Sequence, residues 1–374
     1  MKFVVSSSAL LARLQSISKV LASKNTLPIL DSFLFQLEEN KLTITASDVE
    51  TRLVTSVDVE STEGTGLFAI SAKMLLEPLK KLPEQPLTFS INDENIEVFI
   101  YFANGKYNFI GQKGDTYPKQ KPLSETAVTF STESQILLSG VSRTLFATAE
   151  DELRPVMNGI YFDILSDKVT FVASDGHKLV RQSNNTVQIE GRASFILPKK
   201  PANLLKSLLG RNSDPVKIQF DENNAYITTE HFEMVCRLIE GRYPNYNSVI
   251  PQDNPNKIMM ERVVFLNALE RVSVFSNPAS SLVKLQLSNN EIIISAQDID
   301  FSTSAEEKIS CQYEGPDFSI GFKATFLIEM LSNINTSEII LALADPSRAG
   351  VIVPEQNEEN EELLMLLMPM VLSD

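Results

Sequence analysis

A hairpin-like pattern occurs three times along the chain, and it constrains the fold more than any other feature of the sequence. Apolar and polar residues alternate through 33–37 and 42–46, on either side of the polar turn 38–41, and Asp48 follows. The pattern returns at 160–175 and 283–298, so that Asp48, Asp175 and Asp298 are 127 and 123 residues apart. Alternation with a period of two around a polar turn is typical of a β-hairpin with one buried face.

A second feature keeps the same spacing. A lysine that begins an apolar helical segment lies 25 residues beyond each aspartate, at Lys73, Lys200 and Lys323. Two independent features that hold register over three copies predict three similar domains. The predicted domains are 1–125, 126–253 and 254–374. Polar, proline-containing stretches at 117–122 and 251–255 are suited to linkers between them.

Each copy has the order helix, strands, helix, strands. In the first copy the first helix is predicted over 7–23, where Leu10, Leu14 and Ile17 fall on one face. The second copy is less regular, because Gly140 stands inside the corresponding helix. Antiparallel hairpins with two interposed helices per domain predict an α+β fold: three tandem similar domains, each with two helices packed on antiparallel sheets.

Two cysteines, Cys236 and Cys311, provide neither a disulfide framework nor a metal-ligand motif, and this favours a reducing compartment. The N-terminal residues lack the apolar region of a signal peptide. The longest apolar run, Leu363–Leu372, is interrupted by Pro369 and is too short to span a bilayer. We therefore expect a cytoplasmic protein without a membrane partner, metal or cofactor.

Charge is distributed unevenly along the chain. The net charge is −15, which by itself argues against a nucleic-acid partner. Six predicted helical segments nevertheless contain fourteen Lys or Arg and only four acidic residues, a net charge of +10, so the rest of the chain carries −25. The segments are 6–24, 72–82, 132–148, 199–211, 262–275 and 323–334. Charges on amphipathic helices commonly solvate an outer face, but a basic helical surface on an acidic body also attracts a polyanion without reading bases.

Asp175 and His177 allow a catalytic hypothesis, in which they form a base and its orienter beside a serine nucleophile of a hydrolase. The repeat argues against it, because Asp48 and Asp298 recur where no histidine follows. A recurring aspartate at a strand end is more simply a turn residue whose carboxylate binds local backbone N–H groups. His177 and Lys178 remain peculiar to the second copy.

The methionine-rich segment Leu363–Leu372 has two interpretations. It is either the buried last strand of the third domain or the wall of an apolar groove, where methionines adapt to different partner side chains. A strand whose final residues line a groove satisfies both.

At several motifs the chain resembles the bacterial sliding clamps, the β subunits of DNA polymerase III. The motifs are Met1-Lys2-Phe3, Thr26-Leu27-Pro28-Ile29-Leu30, Arg154-Pro155-Val156-Met157-Asn158-Gly159, Ala173-Ser174-Asp175-Gly176-His177-Lys178, Gly241-Arg242-Tyr243-Pro244-Asn245-Tyr246 and Met368-Pro369-Met370. They span all three copies.

The resemblance implies a DNA clamp fold, in which a head-to-tail homodimer forms a closed six-domain ring with helices towards the hole. Its implied partners are double-stranded DNA, held without sequence preference, the replicative DNA polymerase, the clamp-loader complex and other proteins with a clamp-binding motif. It implies processivity in DNA replication and no catalysis by the chain itself.

The resemblance also implies site residues. A partner-peptide pocket comprises Met157, Ser174, Gly176, His177, Lys178, Leu179, Pro244, Ser248, Val249, Leu366, Met368, Pro369 and Met370. By the same resemblance, Lys24 is a DNA-contacting position. Together with basic residues of the helical segments, it gives the predicted DNA-binding set Lys24, Lys73, Lys80, Lys81, Arg143, Lys199, Lys200 and Lys206. The subunit interface pairs Lys106, Asn108 and Phe109 of one chain with Val274, Phe275, Asp298 and Asp300 of the other.

The chain departs from the family pattern at several of these positions. Lys178 replaces the usual arginine, which keeps the charge but loses a bidentate fork. Ser248 and Val371 stand where basic residues are common in the family. The acidic insertion 355–362 is expected to be a solvated loop. These departures bear on the peptide preference of the pocket.

Overall fold

The three predicted hairpins and the three predicted lysine-headed helices all form. The structure, a computed structural model, describes residues 1–187, 189, 191–210 and 213–372. The elements of the first repeat are β1 (Lys2–Ser6), α1 (Ser7–Ser18), β2 (Ser32–Glu38), β3 (Lys41–Ser47), β4 (Thr51–Asp58), β5 (Ser61–Glu63), β6 (Gly66–Ser71), α2 (Ala72–Leu79), β7 (Pro86–Ile91), β8 (Glu97–Phe102), β9 (Gly105–Ile110) and β10 (Gln112–Lys113).

The second repeat has the same order of elements. They are β11 (Val128–Glu133), α3 (Ser134–Thr144), β12 (Gly159–Leu165), β13 (Lys168–Ser174), β14 (Lys178–Asn184), β15 (Ala193–Pro198), α4 (Lys199–Leu208), β16 (Pro215–Phe220), β17 (Asn224–Thr228) and β18 (Glu233–Arg237). Short 3₁₀ turns stand at Pro155–Met157 and Tyr246–Ser248.

The third repeat completes the pattern. Its elements are β19 (Asn256–Glu261), α5 (Arg262–Ser273), β20 (Leu282–Ser288), β21 (Glu291–Asp298), β22 (Thr303–Ser310), β23 (Phe318–Lys323), α6 (Ala324–Ser332), β24 (Glu338–Leu343), β25 (Gly350–Pro354) and β26 (Glu361–Leu367). Two helices per repeat on antiparallel strands confirm the predicted α+β class.

The strands of the described residues form four antiparallel sheets, divided between two compact units. The first unit, 1–135 with 207–238, contains the sheets β5-β1-β7-β8-β9 and β10-β6-β2-β3-β4-β18-β17-β16-β11. The second unit, 136–206 with 239–374, contains β15-β12-β13-β14-β26-β25-β24-β19 and β22-β21-β20-β23. The predicted domain limits near 125 and 253 stay a prediction, although both predicted linkers are irregular in the structure.

In each long sheet, strands of consecutive repeats pair edge to edge. We call the pairing of β4 with β18 the first joint and the pairing of β14 with β26 the second joint. Each joint extends a sheet across two repeats, so the backbone groups at two strand edges are satisfied within the chain.

Helix α1 packs on the sheets through Leu10, Leu14 and Ile17, which are fully buried as the spacing predicts. The predicted end of the helix at 23 is wrong, because α1 ends at Ser18. The hydroxyls of Ser16 and Ser18 donate to the carbonyls three residues back, and such bonds compete with helix continuation.

Gly140 in α3 allows a close approach between helix and sheet. A Cβ atom at this position would lie 2.4 Å from the ring of Phe171, which is buried in β13. The residue that made the second copy look irregular is therefore a packing requirement of that copy. Among the described residues, no helix is long and apolar enough to cross a membrane.

Candidate functional site

The recurring aspartates are turn residues, as predicted. Asp48 Oδ1 accepts the N–H groups of Glu50 and Thr51 at 2.7 and 2.5 Å. Asp175 Oδ1 accepts those of His177 and Lys178 at 2.8 and 2.9 Å, and Asp298 Oδ1 accepts one from Asp300 at 3.0 Å. In each repeat the carboxylate fixes the backbone where the second hairpin strand ends.

The same bonds argue against the hydrolase hypothesis. The Asp175 carboxylate is engaged by the backbone of its own turn. The Ser174 hydroxyl donates to the Lys178 carbonyl at 2.8 Å. Neither side chain is arranged as part of a nucleophile-and-base pair, so the geometry does not support catalysis at this turn.

Several predicted pocket residues lie together at the second joint, in the second unit. The register of the second joint places Leu179 opposite Leu366, and both side chains are 3% exposed. Both belong to a buried cluster, against which Val156 of the Pro155–Met157 turn packs, and Met157 itself is buried. We call this place, where the partner-peptide pocket is predicted, the docking groove.

The rim of the docking groove is formed where strands give way to irregular backbone. The chain leaves β26 after Leu367, since Pro369 has no N–H to continue a ladder. The Met368 N–H donates to the His177 carbonyl at 2.9 Å, which fixes that segment against the β13–β14 turn. Met368 is 43% and Val249 56% exposed.

The remaining predicted pocket positions also lie at the surface. Gly176, His177, Pro244 and Ser248 are exposed, whereas Pro369 and Met370 are half-buried. Gly176 has a φ of +91°, and a Cβ there would approach the Arg154 guanidinium to 3.0 Å, so a larger residue would strain the turn. Buried Leu179 and Leu366 thus lie near exposed apolar side chains such as Met368, the pattern expected of a site that takes a short peptide with apolar anchors.

Lys178 does not present its charge to the docking groove, which corrects the prediction for this residue. Its side chain is 6% exposed, and Nζ lies 2.7 Å from Glu329 Oε2. Nζ also stands 4.1 Å from the ring centroid of Phe326 in α6. The ammonium is therefore held by an ion pair and a cation–π contact within the chain, and it is not exposed at the docking groove.

Sequence reasoning did not identify three tyrosines, Tyr161, Tyr243 and Tyr246, that pack in the same cluster as Leu179 and Leu366. Tyr243 is 7% exposed and stacks on Tyr161 with ring centroids 4.7 Å apart, while Tyr246 donates from its hydroxyl to Asp163 Oδ2 at 2.9 Å. Burial, and then the neighbouring Asp163 carboxylate, raise the pKa of Tyr246 to about 12. The signal was present, because Tyr243-Pro244 repeats the Tyr117-Pro118 of the first repeat.

Most predicted DNA-binding side chains are exposed. Lys24 follows α1, Lys73 lies in α2, and Lys81 follows α2, while Lys200 and Lys206 are exposed on α4. Lys80 is paired with the exposed Glu77 at 2.9 Å, and Lys199 with the exposed Glu150 at 2.6 Å. Arg211, which contributed to the basic helical tally, lies outside the described residues.

Arg143 is the exception. Its guanidinium donates to Glu358 at 2.6 Å and to Glu361 at 2.7 Å, and its side chain is only 12% exposed. The prediction that Arg143 faces DNA is therefore wrong, because the charge is neutralised within the chain. The acidic insertion is not simply a solvated loop either, since Glu361 and Glu362 begin β26 and Glu362 pairs with Arg181.

The predicted interface residues lie on the edge strand β9 of the first repeat and in segments around α5 and β21 of the third. Lys106, Asn108 and Phe109 lie in β9, and Val274 and Phe275 follow α5 near the exposed turn that contains Asp300. Asp298 is 4% exposed and serves its own turn, so it is not presented at the surface, which corrects the prediction for that residue.

A chain of repeated two-helix units, with antiparallel sheets continued from one repeat into the next, is the architecture of the DNA clamps. Comparison with known proteins agrees over nearly the whole chain. Family models of the DNA polymerase III beta subunit match its N-terminal domain at 1–121, its central domain at 131–245 and its C-terminal domain at 247–370. The chain therefore belongs to the DNA polymerase III beta subunit family, the bacterial sliding clamps, as the sequence predicted.

Individual relatives support the assignment. The chain is 27% identical to the beta sliding clamp of Haemophilus influenzae over 370 residues, covering 99% of this chain and 100% of that protein. It is 26% identical over 371 residues to that of Escherichia coli, with the same coverage. A crystal structure of the Pseudomonas aeruginosa clamp bound to griselimycin has a TM-score of 0.94 at 25% identity, over all of both chains. The family is that of the sliding clamp, a non-catalytic processivity factor.

Proposed function

We propose that the chain works as a DNA sliding clamp, which encircles duplex DNA as a head-to-tail homodimer and tethers the replicative polymerase. The observation that carries the proposal is the repetition of one edge-to-edge joint along the chain, with two matching edges left over. Loading by a clamp loader, binding of other proteins through the same groove, and a cytoplasmic location are parts of the same proposal.

The repeat identifies the leftover edges. In each joint, the strand that follows a hairpin (β4 or β14) pairs with the third strand after the second helix of the next repeat (β18 or β26). The remaining strand of the first kind is β22 and the remaining strand of the second kind is β9, and each ends its sheet. An edge complementary to a different edge of the same chain joins copies head to tail, and a ring results if the rotation closes.

Exposed apolar side chains accompany both edges. Ile110 at the end of β9 is 79% exposed, and Ile299 and Phe301 before β22 are 78% and 75% exposed. Val274, which follows α5 in the same repeat, is 79% exposed. Exposed apolar residues that lie together mark association surfaces, so Ile299 and Phe301 at one leftover edge and Ile110 at the other support the dimer.

Replacing an apolar residue at one edge tests the dimer. We expect Ile299→Asp with Phe301→Asp to give monomers in sedimentation velocity, because two charges would be desolvated at the contact. Leu153→Asp is the matched control, since Leu153 is 93% exposed in a loop and should leave the dimer intact. A dimeric double variant would refute this edge.

The exposed lysines on α2, α4 and after α1 supply the contacts to DNA. Lysines bind phosphates as point charges without reading bases, and such binding weakens as salt rises. The acidic remainder of the chain repels DNA, which favours the helices as the contacting surface. Contacts of this kind allow the protein to slide.

Topological retention is the direct test of the clamp. A dimer charged onto nicked circular DNA by a clamp loader should stay bound through gel filtration and leave within seconds to minutes once the DNA is cut. Retention on linear DNA would contradict holding by topology. Lys24→Ala with Lys73→Ala should reduce the slope of log K against log salt by about one for each phosphate that the variant no longer binds.

The docking groove supplies the tether. We expect Met368→Ala with Pro369→Ala to abolish binding of a peptide from the polymerase tail while leaving the dimer intact, because the rim would lose its apolar anchor surface. Met74→Ala is the control, since Met74 is 55% exposed on α2 and outside the groove. If the double variant dissociates into monomers, the segment acts as a buried strand and not as the wall of a groove.

A further inference from the structure

The first joint carries a cavity of its own. It has a volume of about 300 Å³ and lies entirely within the first unit. Leu30 and Val235 are buried in its lining, whereas Leu27 and Val49 are 48% and 70% exposed on its rim. This size is at the lower end of the range for ligand pockets, and it fits a few side chains of a peptide.

The cavity occupies the place in the first joint that the docking groove occupies in the second. Ser47 Oγ donates to the Thr51 carbonyl at 3.1 Å, just as Ser174 Oγ donates to the Lys178 carbonyl at 2.8 Å. The Arg237 N–H donates to the Glu50 carbonyl at 2.9 Å.

The bond from the Arg237 N–H to the Glu50 carbonyl has a counterpart of equal length in the second joint. The Met368 N–H donates to the His177 carbonyl at 2.9 Å, so Arg237 and Met368 are equivalent positions. The backbone frame of the docking groove is therefore present twice in the chain.

The side chains on the two frames differ in charge. Arg52 stands where the docking groove has Leu179, as the joint registers Arg52–Val235 and Leu179–Leu366 establish. Arg237 stands where the groove has Met368. Two apolar positions of the docking groove are thus basic in the first joint.

The rest of the lining adds to this charge. Four basic side chains line the cavity, including the exposed Lys119 and Lys121, against two acidic ones. One of the acids, Asp48, is bound by the backbone N–H groups of its own turn. An acidic ligand is therefore favoured by charge complementarity.

We propose that the first joint is a second docking site, which takes a short acidic peptide segment with one apolar residue. The apolar residue packs against Leu27 and Val49, and the acidic residues face Lys119 and Lys121. That a frame of this kind docks peptides rests on the function proposed for the second joint, but the position and charge of the cavity do not.

Fluorescence polarisation with a dye-labelled hexapeptide of aspartates around one leucine tests the proposal on the full chain. Lys119→Glu with Lys121→Glu should weaken its Kd about tenfold or more, since two rim attractions become repulsions. Lys41→Glu with Lys257→Glu is the matched control, with the same charge change at two exposed lysines that do not line the cavity. Equal weakening by both variants would overturn the proposal, because it would mean long-range attraction only. Equal binding of an all-aspartate peptide would show that the apolar residue contributes nothing, and it would also overturn the proposal.

Thiol labelling locates the bound peptide. Burial raises the pKa of Cys236 to about 12 and of Cys311 to about 11, so both native thiols react slowly at neutral pH. A Val49→Cys thiol is exposed and should react fast, and the hexapeptide should slow it at least threefold. An unchanged rate would place the peptide elsewhere and refute the site.

Failure of this proposal is distinct from failure of the clamp function. The variant Met368→Ala with Pro369→Ala should still bind the hexapeptide, because it alters only the second joint. Loss of hexapeptide binding in that variant would assign the peptide to the docking groove and overturn the second site. It would have no bearing on the proposed clamp function. Absence of retention on circular DNA would refute the clamp and leave the hexapeptide result standing.

Discussion

The two joints of the chain share a backbone plan but differ in length and in charge. The first joint pairs four residues of β18 with β4, whereas the second pairs seven residues of β26 with β14. Ion pairs reinforce the second joint, where Arg143 meets Glu361 and Arg181 meets Glu362. One repeated frame therefore supports a long joint with an apolar groove and a short joint with a basic cavity.

The difference shows where the specialisation lies. The turn aspartates, the serine bonds and the strand register are common to both joints, so they belong to the fold. The side chains placed on that frame decide which ligand chemistry each joint favours, which is the general relation between a fold and its sites.

Core truncation at equivalent positions should give the largest effect. Leu366→Ala in the second joint is expected to lower the free energy of unfolding by about 3 kcal/mol, and Val235→Ala in the first by about 2 kcal/mol. Both residues are 3% exposed and face their joint partners, so the difference reports side-chain volume and cavity size. Urea denaturation measures both, and a larger loss at Val235 would reverse the comparison.

Removal of the buried guanidinium comes next. Arg143→Met should cost about 2 kcal/mol, because the Glu361 side chain is 9% exposed and would be left without its partner. Arg271→Met is the control, since Arg271 pairs with Glu307 at an exposed site and its loss should leave the urea midpoint unchanged within error. The same Arg143 variant should leave the salt slope of DNA binding unchanged. A reduced slope would restore Arg143 as a phosphate contact.

Variants of Lys178 test whether its ammonium only stabilises the protein or also contacts the bound peptide. Lys178→Met keeps the aliphatic stem but removes the ion pair with Glu329 and the cation–π interaction with Phe326, at a cost of about 1 kcal/mol, since Glu329 is partly exposed. Lys178→Arg should retain most of the stability. Peptide affinity should be nearly unchanged in both variants at a temperature well below unfolding. A large loss of affinity in a stable Lys178→Met protein would mean that the ammonium reaches the peptide.

The smallest effect concerns pH. Burial raises the pKa of Tyr117, at the first joint, to about 12, and burial with Asp163 raises that of Tyr246 to about 12. Between pH 10 and about 12 the unfolded chain ionises these hydroxyls while the folded chain keeps them protonated, so the unfolded state binds fewer protons and stability falls as pH rises. Tyr117→Phe and Tyr246→Phe should each make this fall less steep in urea titrations. An unchanged slope in either variant would show that its hydroxyl does not contribute.

Much of the fold and part of the site could be predicted from the sequence. The three hairpins follow from alternation over fewer than twenty residues, and the turn role of Asp48, Asp175 and Asp298 follows from their recurrence. The family resemblance predicts Leu179 and Leu366 as pocket residues, and the structure pairs them opposite one another in the second joint.

Other features depend on partners distant in sequence, and local pattern does not encode such partners. Lys178 meets Glu329 from 151 residues away, and Arg143 meets Glu361 from 218 residues away. Both lysine and arginine are read from sequence as surface charges, because burial depends on what else packs around them. Only the tertiary structure decided that these two charges are neutralised within the chain.

The sequence by itself determined the repeat, the α+β class and the family, because periodicity, motifs and their spacing can be read along the linear chain without knowing which segments pack together. The tertiary structure decided which edges pair, which charges remain available to DNA, and that the frame of the docking groove exists twice. The physical reason is that pairing, burial and charge neutralisation arise between segments that are far apart in sequence.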